Sequence, residues 1–69
     1  MSRTGIELVV NLRKEDGNAF CILGNVVRIM RGYGCKDEEV MDYLKRAKES
    51  DYNNLLKVSG EMVDLKLVE

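Results

Sequence analysis

Histidine and proline are absent from the 69-residue chain, and cysteine occurs only twice. Histidine is the usual general base near neutral pH, so its absence removes the most common acid–base catalyst. Neither Cys21 nor Cys35 has an evident neighbouring base in the sequence that would activate a thiol nucleophile. We therefore predict that the protein is not an enzyme and has no catalytic residues.

The low number of cysteines also argues against stabilisation of this small domain by disulfides or by a metal site. A secreted scaffold held by disulfides normally carries four or more cysteines, whereas Cys21 and Cys35 are a lone pair among apolar residues. We expect both to be reduced and packed as small hydrophobic side chains. Zinc sites normally need four Cys, His or carboxylate ligands, and no cluster in the sequence supplies them. We therefore expect neither a metal nor another cofactor.

The chain also lacks an excess of charge of one sign and a long apolar run. Eleven Lys and Arg stand against twelve Asp and Glu, which gives a net charge of −1 and a pI near 5.4. Nucleic-acid-binding proteins usually show a basic footprint, so this balance argues against such a partner. No apolar run approaches the roughly 18 residues of a membrane span, and the first residues are not typical of a signal peptide. We expect a cytoplasmic protein with no membrane contact.

Alternation and helical periodicity divide the chain into five elements of a single small domain, residues 1–69. The expected fold class is α+β, in the order β-α-α-α-β, with a two-stranded sheet packed on a three-helix layer. We favour antiparallel pairing because antiparallel pairs outnumber parallel pairs roughly two- to three-fold. Ser59-Gly60 is expected to end the third helix. The predicted elements are a strand at about 6–12, helices at about 18–31, 37–49 and 52–58, and a strand at about 62–68.

The most apolar predicted helix begins after the turn Asp16-Gly17-Asn18, where Asp16 or Asn18 is expected to cap it. A glycine inside a helix costs about 1 kcal/mol relative to alanine, so Gly24 predicts close packing at that position. Gly32-Tyr33-Gly34 is expected to stop the helix. Its apolar residues form two rows, which predicts a helix covered on two sides. The rows are Phe20, Leu23, Val27 and Met30, and Ile22, Val26, Ile29 and Tyr33.

Two parts of this helix are the candidate binding sites. The N–H groups at its start could hold a small anion or a nucleotide, as helix starts do. The further glycines and the lysine of the Rossmann and P-loop fingerprints are missing, so the motif is short. The second part is a polar stripe along the helix. The candidate residues are Asp16, Gly17 and Asn18 at the start, and Asn25, Arg28 and Arg31 in the stripe.

The first two predicted helices could also be interpreted as a helix-turn-helix that binds nucleic acid weakly. The first turn of the second helix, however, carries Asp37, Glu38 and Glu39, which would repel phosphates. A two-stranded sheet has open edges that invite another chain, so we expect a homodimer. The leading interpretation is a non-enzymatic interaction, inhibitor or accessory protein whose partner is another protein. A small-anion or nucleotide binder is the alternative, and the helix-turn-helix is third.

Four strings distributed along most of the chain share one resemblance. They are Asn11-Leu12, Asp16-Gly17-Asn18-Ala19-Phe20, the Gly34 turn, and Ser50-Asp51-Tyr52 with Leu55-Leu56. Together they resemble a group of small uncharacterised proteins of bacteria, phages and prophages. That group has no assigned activity, so the resemblance implies an origin and no mechanism. It suggests an accessory protein of a bacterium, a phage or a mobile element.

Overall fold

The computed structural model describes residues 2–69, apart from the side chain of Asp16. It confirms the α+β fold class, because the order is strand, three helices and strand, with the sheet packed on the helices. A single 3₁₀ turn, Glu15–Gly17, follows the first strand. The elements are β1 (Glu7–Asn11), α1 (Ala19–Tyr33), α2 (Asp37–Ala47), α3 (Tyr52–Met62) and β2 (Asp64–Val68).

The two strands of the sheet are parallel, so the prediction of antiparallel pairing is wrong. The reason is the connection, since a helical crossover returns the chain to the end of the sheet where the first strand began. Glu7 consequently lies opposite Asp64, and Asn11 lies opposite Val68. Each strand pairs on one side only within this two-stranded sheet.

The hydrophobic core lies between the three helices and the inner face of the sheet. α1 contributes one buried face to it, while Phe20 and Tyr33 are exposed. The prediction of a helix covered on two sides is therefore wrong, because α2, α3 and β1 pack against a single arc of α1. The largest fully buried side chains of the core are Val10, Ile22, Met30, Val26, Val40, Tyr43 and Val63.

The ends of α1 follow local signals in the sequence. The side chain of Asn18 accepts a hydrogen bond from the N–H group of Phe20 at 2.8 Å, so Asn18 is the N-cap. Gly34 has φ of +106° and closes the helix, as predicted for this glycine turn. The prediction of close packing at Gly24 is wrong, because a Cβ added there would meet no atom within 4 Å. Gly24 faces open space.

α3 continues to Met62 and passes through Ser59-Gly60, where the sequence predicts its end. Ser59 is fully buried, and its hydroxyl oxygen lies 2.7 Å from that of Tyr43 on α2. Gly60 adopts helical geometry and faces open space. A hydrogen bond to the neighbouring helix thus accompanies the additional turn. The Ser59-Gly60 pattern is local in the sequence and carries no information about such a tertiary partner.

Both cysteines are free thiols. Cys35 is buried in the core, as expected for a small hydrophobic side chain. Cys21 is exposed on α1, so the expectation that it packs in the interior is wrong. Its neighbours along the chain are apolar, but its own position lies outside the buried face of the helix.

Candidate functional site

The most exposed aromatic side chain among the described residues is Phe20, which is 80% exposed in the first turn of α1. A single exposed apolar residue is ordinary in a folded protein. The surroundings of Phe20 therefore decide whether its exposure has a function. Those surroundings are a concave apolar surface, which marks an interaction site more often than an isolated side chain does.

Phe20 borders a cleft of about 390 Å³ between the start of α1 and the connection from α2 to α3. Leu23 and Leu55, which are 7% and 4% exposed, form its floor. Tyr52, which is 39% exposed, stands with Phe20 at the rim. The other residues lining this surface, called the Phe20 cleft below, are Ala19, Ala47, Lys48, Ser50 and Asp51.

Two capped helix starts hold the Phe20 cleft in shape. Asn18 caps α1, and the carboxylate of Asp51 caps α3 by accepting the N–H group of Asn54 at 3.0 Å. Each cap satisfies an otherwise free N–H group and so fixes the first turn of its helix. The hydroxyl group of Tyr52 then donates a hydrogen bond to the carbonyl oxygen of Gly17, which joins the two starts. The cleft is therefore preformed.

The predicted anion site at the start of α1 lies beside the Phe20 cleft, and three backbone donors of this segment are already engaged. The N–H groups of Gly17, Asn18 and Phe20 donate to protein oxygen atoms at 2.8–3.0 Å. Gly17 is needed for a close approach of the chain, because a Cβ there would lie 3.0 Å from the Cα of Leu12. The side chain of Asp16 lies outside the described residues. The geometry thus assigns this segment to capping and turning the chain.

The predicted polar stripe lies farther along α1 and does not converge with the helix start. Arg28 donates a hydrogen bond to the side chain of Asn25 at 2.6 Å, one turn away. Arg31 forms an ion pair with Asp37 of α2 at 3.1 Å. The structure therefore brings Asn25 and Arg28 together, and it engages Arg31 with the next helix instead.

Sequence reasoning placed Phe20 in the core and did not single out Tyr52 as a site residue. A signal for Phe20 was present in the helical spacing. The residues Phe20, Gly24, Arg28 and Arg31 are spaced four, four and three apart. This helical spacing puts all four on one face of α1. A face that carries two arginines is a solvent face. No local pattern could have indicated Tyr52, since its partner Gly17 lies 35 residues away.

The titratable groups with displaced pKa values lie away from the Phe20 cleft. A hydrogen bond from Arg3 lowers the pKa of Glu39, and a hydrogen bond to Glu61 raises the pKa of Arg46. Burial raises the pKa of Tyr43, and the hydrogen bond with Ser59 opposes that rise. These residues join the helices and the N-terminal segment, and none of them lines the cleft. Their pKa displacements are therefore explained by structural contacts.

Among the side chains that the structure describes, which exclude that of Asp16, no three histidine, cysteine or acidic groups come together as metal ligands would. None of the helices described within residues 2–69 has both the length and the apolar character needed to cross a bilayer. No family model, curated protein or solved structure matches this chain. Its function has to be inferred from its own geometry.

Proposed function

We propose that this chain is a non-enzymatic protein-interaction protein that binds an apolar segment of a partner protein in the Phe20 cleft. The observation that carries the proposal is the 80% exposure of Phe20 beside a floor of nearly buried leucines. We propose an accessory or inhibitor role, because the chain would act on its partner by binding it. We propose that it acts in the cytoplasm of a bacterium, because its sequence resembles small bacterial and phage proteins.

The energetics favour an apolar anchor from the partner as the occupant of the Phe20 cleft. Covering a phenylalanine side chain stabilises a complex by about 1.5–3 kcal/mol. Aromatic side chains in desolvated pockets are the commonest binding hot spots, and a polar rim around them excludes water. Phe20 and Tyr52 supply the aromatic surface, while Lys48 and Asp51 supply a rim with both signs of charge.

Two polar side chains of the Phe20 cleft, those of Asp51 and Tyr52, have structural partners, which supports binding over catalysis. The carboxylate of Asp51 caps α3, and the hydroxyl group of Tyr52 donates to Gly17. A general base or a nucleophile would need a neighbouring group that activates it. The chain has no histidine to fill that role.

The two alternatives from the sequence gain less support. For a small-anion or nucleotide binder, the donors of Gly17 and Asn18 are already engaged. For a helix-turn-helix, the first turn of α2 presents acidic residues, and Glu39 among them pairs with Arg3 at 3.0 Å. Self-association remains part of the proposal, because the parallel two-stranded sheet leaves its outer edges open.

A selection from a random peptide library displayed on phage, with the full chain as bait, tests the proposed function. We expect enriched peptides to share an apolar anchor and to shift the NMR signals of Leu23 and Leu55. Phe20→Ala should abolish the enrichment. Met41→Ala is the matched control, because Met41 is 66% exposed on α2 and lies outside the Phe20 cleft.

Three results would contradict the proposed function. The first is no enrichment above an unrelated protein of similar size. The second is enrichment that survives Phe20→Ala. The third is a titration in which ATP or inorganic phosphate shifts the NMR signals of Gly17 and Asn18 at concentrations where peptides shift none. That result would favour the anion-binding alternative.

A further inference from the structure

The edge of β2 that faces away from β1 carries backbone groups that point outward. The N–H group of Asp64 donates to the carbonyl oxygen of Ile6, and Val68 accepts from the N–H group of Leu12, both at 2.8 Å. Backbone groups alternate in direction along a strand, so residues 64, 66 and 68 bond to β1. The groups of Leu65 and Leu67 therefore point to the open edge, where a further strand can pair.

Beside this edge, β2 and α3 border a groove of about 800 Å³. Its apolar residues are Leu56, Leu65 and Leu67, and Leu67 is 43% exposed. A strand added to the edge of β2 would cover this apolar surface. Charged residues of both signs flank it, namely Lys57 and Glu61 on α3 and Asp64 and Lys66 on β2.

We propose that the occupant of this edge is a second copy of the same chain, with the two β2 strands antiparallel about a two-fold axis at Leu65. The product is a four-stranded sheet in the order β1-β2-β2-β1. A two-fold axis perpendicular to the sheet keeps the helices of both copies on one side. Residues paired across the two β2 strands must then have their side chains on the same face of the sheet. The axis therefore passes through a residue position, and the candidates are Leu65, Lys66 and Leu67.

Charge selects the register centred on Leu65. In this register Asp64 lies opposite Lys66 of the second copy, and the reciprocal pair forms as well, while Leu65 meets its own counterpart. Opposite charges in such cross-strand pairs stabilise a sheet. The register centred on Lys66 would place two lysines opposite each other, which destabilises the pairing. The register centred on Leu67 would place Leu65 opposite Glu69 on the groove face.

The same two-fold axis matches the charges on α3. Lys57 and Glu61 are one helical turn apart and both line the groove. The axis sets the two α3 helices antiparallel, so the seam between them carries Lys57 and Glu61 from both copies. Gly60 lies between them, and a Cβ there would meet no atom within 4 Å, so the helix backbones can approach closely. The surface is therefore self-complementary on both the strand and the helix.

Three charged residues of this surface also have partners within one chain. The carboxylate of Asp64 accepts a hydrogen bond from the hydroxyl group of Ser2 at 2.7 Å. Glu61 pairs with Arg46 at 2.6 Å, and Lys66 pairs with Glu7 at 3.2 Å. These ion pairs are at least one-third exposed, so they hold the side chains only weakly. The net charge of −1 per chain adds little repulsion between two copies.

This inference rests on the self-association included in the proposed function and does not depend on the Phe20 cleft. The groove between β2 and α3 shares no lining residue with that cleft. Sedimentation velocity of the full chain tests it first. Lys66→Glu sets a carboxylate against the carboxylate of Asp64 across the axis and should weaken the dimer about tenfold. Asp64→Lys combined with Lys66→Glu should restore it. Lys45→Glu, an equal charge change on α2, should leave the dimer unchanged.

A disulfide trap then tests the register. Asp64 and Lys66 of opposite copies form a non-hydrogen-bonded pair with Cα atoms about 4.5 Å apart, a separation that a disulfide can span. In a Cys21→Ser background, Asp64→Cys and Lys66→Cys chains should cross-link when mixed and oxidised. Neither variant should cross-link alone. Cross-linking of Lys66→Cys with itself would overturn the register.

A chain that stays monomeric at every concentration would overturn the inference. If that monomer still bound the selected peptides, the proposed function of the Phe20 cleft would stand. A dimer that follows the charge-swap pattern but binds no peptide would support the inference and contradict that function. The two failures are therefore distinguishable.

Discussion

The hydroxyl groups of Tyr43 and Ser59 lie 2.7 Å apart in the interior, and neither residue has exposed surface. The pair joins α2 to α3 near the end of α3. Among the described residues, every buried polar side-chain atom has a partner. Losing one member of the pair would leave the other hydroxyl group buried without a hydrogen bond.

Tyr43→Phe should therefore lower the free energy of unfolding by about 1–3 kcal/mol, the cost of an unsatisfied buried hydroxyl group. Ser59→Ala should have a similar effect. The double variant should cost less than the sum of the single variants, because it removes both polar groups. Urea denaturation monitored by circular dichroism measures all three. Additive costs would show that the two hydroxyl groups do not interact.

The pair also predicts an alkaline dependence of stability. Burial raises the pKa of Tyr43 above its ordinary value of 10.0. The unfolded chain therefore loses this proton first, and the contribution of Tyr43 is complete below pH 10 and is lost as the pH rises through the folded pKa. Thermal melts between pH 9 and pH 11 should show a steeper loss for the wild type than for Tyr43→Phe. Parallel curves would contradict this assignment.

Phe20 and Leu23 lie in the same part of α1 and should respond oppositely to truncation. Leu23→Ala removes a buried side chain and should cost about 2–5 kcal/mol. Phe20→Ala should change the free energy of unfolding by no more than about 0.5 kcal/mol, as surface substitutions do. Chemical denaturation of the two variants provides the comparison. A large cost for Phe20→Ala would restore the core role that the sequence predicted for it.

The two glycines Gly24 and Gly34 make a second matched pair. Gly24→Ala should stabilise the protein by about 1 kcal/mol, because its Cβ enters open space and alanine favours the helix. Gly34→Ala should cost about 1–2 kcal/mol, because this residue adopts a positive φ of 106°. Melting temperatures of the two variants should move in opposite directions. Movement in the same direction would contradict the conformations assigned to these glycines.

The elements of the fold could be predicted from the sequence because their signals are local. Asn18 and Asp51 cap helices within their own turns, and Gly34 closes α1 through its own backbone conformation. Strand direction depends on the path of the whole connection, and antiparallel statistics carry no information about that path. The hydrogen bond that accompanies the continuation of α3 joins Ser59 to Tyr43, which lies 16 residues away. Local patterns cannot include such partners.

The candidate site was only partly predictable for the same reason. The sequence indicated the start of α1, which does border the Phe20 cleft. Periodicity showed that α1 has more apolar residues than one face can hold, but it did not show which arc packs. The tertiary contacts of α1 determine which arc is buried, and they leave Phe20 exposed. The arginines on the same face were the clue.

The affinity of Phe20→Ala for a peptide selected on the wild-type chain tests the central claim most directly. We expect the dissociation constant to rise about 30-fold, as truncation of an aromatic hot spot worth roughly 2 kcal/mol does. The melting temperature should stay at the wild-type value, and Met41→Ala should bind normally. Unchanged affinity of Phe20→Ala in a folded protein would contradict the assignment of the Phe20 cleft as the partner-binding site.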